Sequence, residues 1–179
     1  MAEREIVILK RDCIAAMVPS GARIMLHEGT EVTITQSLGS SFTVNVYGNL
    51  ARIDAKEADA LGKQPTDILA GLDSDASIDD KIEAALRNVY DPEIPVNVVD
   101  LGLIYQVEHN LLAEGSYRVE VEMTLTAPGC GMGPVIAEDM KRLLLLLDEV
   151  SDVAVEFVFE PPWDRSMMSD TAKLEMGML

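Results

Sequence analysis

The sequence is poor in the residues that hold metals or staple small folds. Two cysteines, Cys13 and Cys130, and two histidines, His27 and His109, occur in 179 residues. Two cysteines in separate parts of the chain argue against a disulfide framework and for a reducing, cytoplasmic setting. Neither histidine lies near the other or near a cysteine, so both are read as surface or turn residues without metal-ligand spacing. Cations are scarce as well. The 14 Lys+Arg face 31 Asp+Glu, and the net charge of -17 repels phosphate backbones and anionic lipid, so no nucleic-acid or membrane partner is expected. The longest purely aliphatic run, Leu143 to Leu147, is too short to span a bilayer. Met1-Ala2-Glu3-Arg4-Glu5 carries acids and precedes only four apolar residues, so no secretory signal is expected. There is no Walker-type glycine motif, and no nucleotide is expected.

What is present suffices for a core, with 48% hydrophobic and 25% charged residues. Charge is uneven: 7 basic and 11 acidic residues precede Ser77 (-4), while 7 and 20 follow from it (-13). The surplus is read as a solubilising acidic surface that also suits protein partners.

The expected fold class is α+β: a small N-terminal antiparallel β domain (1–61), a linker (62–77) and a two-layer α-β-β-α-β domain with a short C-terminal helix (78–179). Thr30 to Thr35 and Phe42 to Tyr47 are rich in β-branched and aromatic residues and read as a hairpin. Lys56 to Leu61 reads as a helical turn. Ser77 and Asp80 have capping-box spacing, and Ile78, Ile82, Ala85, Leu86 and Val89 recur at helical intervals, predicting a helix to about Tyr90. Leu103 to His109 and Tyr117 to Thr126 predict a hairpin, with Tyr117, Val119, Val121, Met123 and Leu125 facing the core and Arg118, Glu120, Glu122, Thr124 and Thr126 facing away. Val135 to Leu147 predicts a helix packed on that sheet, Val153 to Phe159 a third strand, and Ser169 to Met176 a short helix.

The segment Ala127-Pro128-Gly129-Cys130-Gly131-Met132-Gly133-Pro134 places one thiol in a turn of glycine and proline, between a strand and a helix start. Gly129 and Gly131 permit close backbone approach, and Pro134 suits the first helical turn. The positive end of a helix favours a thiolate that attacks electrophiles or binds metal. A buried cysteine acting as a small apolar residue fits the same local sequence, and the residues leave both readings open.

Three irregular segments fall at element ends: Asp91 to Gly102, Ala127 to Gly133 and Pro161 to Ser169. Their motifs, Asp91-Pro92-Glu93-Ile94-Pro95 with Val99-Asp100-Leu101-Gly102-Leu103-Ile104-Tyr105, Met123-Thr124-Leu125-Thr126 running to Pro128-Gly129-Cys130, and Pro161-Pro162-Trp163, resemble the iron-sulfur cluster assembly domain family. With the N-terminal β domain and the ending Met167 to Leu174, the chain is similar to the SufT accessory proteins within it. The likeness is read as nearly whole-chain and strongest from Ile82 to Met178.

The resemblance implies an accessory factor in iron-sulfur protein maturation, not an enzyme, with iron-sulfur assembly and client proteins as partners. It implies that Cys130 handles a transient iron-sulfur cluster, iron or a client thiol. Asp91, Glu93 and Asp100 carry over as loop residues, either iron ligands or acceptors that order turns. Thr126 is read as fixing the loop through its hydroxyl, and Trp163 as core. About four thiolates hold a typical cluster. One chain cannot supply them, so a second subunit, and hence a homo-oligomer, a small thiol, a carboxylate or the client must complete any site at Cys130. Two alternatives stay open: an adaptor without metal, and a thiol enzyme with Cys130 as nucleophile and His109 or a carboxylate as base. Met167, Met168, Met176 and Met178 crowd the last thirteen residues and read as packing or as a flexible partner contact.

Overall fold

The alternating N-terminal segments build six strands: β1 (Glu5–Ile8), β2 (Cys13–Met17), β3 (Arg23–Leu26), β4 (Glu31–Leu38), β5 (Ser41–Val46) and β6 (Asn49–Asp54). They form one antiparallel sheet in the order β1-β4-β5-β6-β2-β3. The computed structural model describes residues 4–38, 41–64, 67–91, 94–129 and 131–179. Cys130, Glu93, Pro92, Pro65 and the Gly39-Ser40 turn lie outside them.

Period-two alternation sets which face of this sheet is core. Phe42 and Val44 on β5 pair with Ile53 and Ala51 on β6, and all four are buried with Leu9, Cys13, Val32 and Ile34. A 3-10 turn, Ala55–Leu61, closes this core with Ala58, Ala60 and Leu61 and ends on Gly62 at φ 70°. The residues of opposite parity, Ser41, Thr43 and Arg52, are buried too. This second face is covered because Arg52 meets the second half of the chain.

That half contains α1 (Ile78–Leu86), β7 (Ile104–Leu111), β8 (Tyr117–Met123), α2 (Gly133–Leu145), β9 (Val150–Phe157) and α3 (Asp170–Glu175). Ser77 caps α1 as its spacing predicts, its Oγ accepting from Asp80 N at 3.1 Å. The helix stops at Leu86, short of Tyr90: Asn88 and Val89 N-H groups bond back to Ala85 and Leu86 carbonyls, and Tyr90 then pairs with Asn97 across the following loop. β8 lies between antiparallel β7 and parallel β9, with α2 as the crossover. Val119, Val121 and Met123 face Ile136, Met140, Leu143 and Leu144 of α2, whose spacing gives a single apolar stripe. Leu145 and Leu146, expected to pack, stay exposed on the other side of the helix end.

The two sheets meet at α2. Arg52 of β6 forms an ion pair with Asp139, each side chain 1% exposed, while Arg52 Nε donates to Ser41 Oγ at 2.9 Å. Arg142 Nη2 adds a 2.7 Å bond to the other Asp139 oxygen. Arg23 of β3 pairs with Glu138 at the exposed rim. Removing one partner of a buried pair strands the other, so Asp139→Ala is expected to lower stability by about 3–5 kcal/mol in urea unfolding. The double variant Arg52→Met, Asp139→Leu should recover most of that loss, and a double variant no more stable than Asp139→Ala would reject this account.

Candidate functional site

Two of the three irregular segments are tied into one structure. Asp91 is buried, and its Oδ1 accepts from Ile94 N at 3.1 Å, ordering the turn after α1. At the sheet contact, burial pushes the Arg52 guanidinium down to about 10, and the Asp54 and Asp91 carboxylates oppose that shift only in part. Asp100 is a wider junction: Oδ2 accepts from Asn97 Nδ2 at 2.7 Å and from Arg87 Nη1 at 3.2 Å, and its carbonyl accepts from Ser169 N at 2.8 Å. Burial alone would raise the Asp100 carboxyl. Hydrogen bonds from Asn97 and Ser169 and the Arg87 charge outweigh it and hold the group below its ordinary range. Asp100 thus orders the loop and docks the C-terminal segment.

The Pro161 to Ser169 segment closes over the same loop. Trp163 Nε1 donates to Leu101 O at 2.7 Å, Tyr105 Oη donates to Pro161 O at 2.7 Å, and Met168 is buried. Gly102, at φ 75°, lies so close under Met167 that a Cβ there would sit 2.3 Å from its carbonyl oxygen. Only glycine fits. The terminal methionines divide: Met168 is core, whereas Met176 and Met178 are exposed.

The cysteine loop begins differently from the alternation. β8 ends at Met123, and Met123, Thr124 and Leu125 are all buried. Thr124, expected to face away, turns inward as its N-H leaves the strand ladder for Leu103 O at 2.8 Å. Its hydroxyl is 1% exposed as a residue and has no hydrogen-bond partner among the described residues. This buried hydroxyl just before the loop is absent from the sequence expectations, which favoured Thr126. Thr126 is half-buried, and no hydrogen bond of its hydroxyl occurs among the described residues.

Past Thr126 the chain surfaces: Ala127, Pro128, Gly129 and Gly131 are exposed, with Gly129 at φ 80°. Cys130, like Glu93, is outside the described residues. α2 begins at Gly133 with Pro134 in its first turn and, among the described residues, no side-chain cap at its N-terminus. The N-terminal sheet reaches this loop. A Cβ on Gly131 would lie 2.8 Å from the carbonyl oxygens of both Pro19 and Ser20, and one on Gly21 2.5 Å from Gly131 O. The β2–β3 turn therefore packs backbone to backbone against the residue following Cys130.

Other candidate donors are engaged elsewhere. Cys13 is buried in the first core, and burial, with the Glu57 charge, raises its thiol. His109 is in β7, not a turn; its Nε2 lies 2.9 Å from Asp79 and its ring meets Tyr117 edge-on. Among the described residues no three His, Cys, Asp or Glu are arranged to hold a metal ion. No helix among the described residues is long and apolar enough to cross a membrane.

Residues 79–157 match the family described as iron-sulfur cluster assembly protein. A Porphyromonas gingivalis Fe-S protein maturation auxiliary factor is 48% identical over 101 residues, 56% of this chain and 92% of that one. This chain belongs to the iron-sulfur cluster assembly protein family. The Staphylococcus aureus Fe-S protein maturation auxiliary factor SufT is 43% identical over 90 residues, 50% of this chain and 98% of that one. The crystal structure of a DUF59 domain of unknown function from Bacillus anthracis is similar at a TM-score of 0.52 and 35% identity, covering 57% of this chain and 93% of that one. These likenesses span little more than half of the chain, less than the whole-chain resemblance expected. The N-terminal sheet lies outside residues 79–157, which match the family.

The Asp100 junction titrates in a defined sense. A depressed carboxylate contributes stability above its unfolded pKa of about 3.9, and that contribution is lost as pH falls through the lower folded value. Asp100→Asn is expected to cost about 1–3 kcal/mol at neutral pH, the gap from wild type narrowing below about pH 4. A gap independent of pH in urea titrations would count against the ionised hub.

Proposed function

We propose that this chain is an accessory factor in iron-sulfur protein maturation and that Cys130 handles a cluster, iron or a client thiol in transit. The observation that carries this reading is that residues 127–129 and 131, with a glycine on either side of Cys130 in the chain, are exposed and lead into a start of α2 with no side-chain cap among the described residues. An uncapped helix start offers N-H donors and a positive potential that favour a thiolate over a thiol in its vicinity. Family relatives named maturation auxiliary factors, rather than enzymes, support the same reading. The cluster or iron is cargo, and a site with one cysteine ligand from the chain holds it weakly enough to pass on, the remaining ligands coming from assembly or client proteins or a second copy. Asp91 and Asp100, engaged in hydrogen bonds within the fold, support the loop architecture rather than ligate iron.

Anaerobic reconstitution with iron and sulfide, followed by absorption spectroscopy, tests the role of Cys130. Cys130→Ser is expected to lose the cluster or iron signal and to fail in maturing client enzymes. An unchanged signal rejects Cys130 as a ligand, and full complementation by the variant would favour an adaptor that needs no thiol.

A further inference from the structure

Val119, Val121 and Met123 turn one face of the β7-β8-β9 sheet into the core. The other face carries Glu108 of β7, Glu120 and Glu122 of β8 and Glu156 of β9, all half-buried or exposed. Register sets like charges directly across from one another: Glu108 faces Glu120, and Glu122 faces Glu156. Such pairs destabilise a sheet that opposite charges would hold. Arg118, the only lysine or arginine in the three strands, is already paired with Glu120 and Asp152, and Glu108, Glu122 and Glu156 form no ion pair among the described residues. At one end this face runs into an open groove of about 610 Å³, and Gln106 and Glu122 border both. A β-bulge between Ile104 and Gln106 breaks the alternation, so Ile104 and Tyr105 both line the groove, together with Val158, Pro161 and Met167. The hydrogen bond from Tyr105 Oη to Pro161 O holds that wall in place.

We propose that this open face docks a basic amphipathic helix of a partner protein, its lysines or arginines over the glutamates and an apolar side chain seated in the groove beside Tyr105. Charge selects the occupant. A second copy would bring the same glutamates and a further net charge of -17 to the face. Nucleic acid and anionic lipid are repelled by the same carboxylates. Among the described residues no three acids are arranged to hold a metal ion, so a cation spread along a partner segment is the complement that fits. The apolar groove adds what charge alone lacks, a fixed point that sets where along the face the segment lies. No residue of the cysteine loop takes part, so the docking surface stands independently of the role of Cys130.

Fluorescence anisotropy of a labelled amphipathic helical peptide of lysine, leucine and alanine, titrated with the full chain, tests it. Saturable binding is expected in wild type and, unchanged, in Cys130→Ser. The double variant Glu122→Gln, Glu156→Gln is expected to weaken binding about tenfold, and Val158→Thr, which removes apolar surface at constant charge, about threefold. Glu28→Gln with Glu31→Gln, exposed in the N-terminal half, changes the net charge by the same amount and is expected to leave affinity unaltered. Relief of the facing carboxylates should also raise the urea midpoint of the Glu122, Glu156 variant, which separates lost binding from lost folding. Absence of saturable binding in wild type, equal binding of a scrambled peptide of the same composition, or an equal loss in the Glu28, Glu31 variant overturns the proposal. A dimer of the chain alone that Val158→Arg disperses would assign the face to a second copy and overturn it as well.

Discussion

The contact between Arg52 and Asp139 determines how the two halves of the chain meet. Two ions removed from water recover their desolvation only through mutual attraction and further hydrogen bonds, here from Arg142 to Asp139 and from Arg52 to Ser41. Net stability from such a pair is small, but its demands on position are large. Apolar contacts such as Val18 against the second core tolerate sliding; a buried guanidinium displaced from its carboxylate does not. The pair therefore works as a register device, and the backbone approach of Pro19 and Ser20 to Gly131 depends on that register.

The local physics of the second half was legible because it is periodic. Ser77 and Asp80 marked the start of α1, alternation in Tyr117 to Met123 gave the buried face of β8, and the order helix, strand, strand, helix, strand followed. Where a local period stops, the reading failed. Thr124 continues the sequence alternation but not the strand, so an outward hydroxyl became a buried one. Arg52 shows the complementary failure. In sequence it is one polar residue of an alternating strand, and its acceptor lies 87 residues away, beyond any window in which periodicity speaks.

Asp100 and the cysteine loop divide the labour among the motif residues. Asp100 gathers Arg87, Asn97 and Ser169, drawing the end of α1, the following loop and the start of α3 to one carboxylate. Gly102 and Trp163 lock the same region by close approach and by one indole hydrogen bond. These residues rigidify the scaffold, while residues 127–129 and 131 are left exposed beside it, the arrangement expected where a chemical task is mounted on a fixed support. A motif can thus be characteristic of a family for two unlike reasons, and burial with satisfied hydrogen bonds separates them.

The ion pair and the loop share the same docking. Arg23 and Arg52 belong to the N-terminal half, and Glu138 and Asp139 to α2, so both ion pairs cross the contact. Docking also brings the β2–β3 turn onto Gly131, beside Cys130 in the chain. The N-terminal sheet, outside the residues that match the family, consequently supplies a second surface to the cysteine loop. Its physical consequence is that the backbone just after Cys130 meets a turn of the sheet that a buried ion pair between other residues docks.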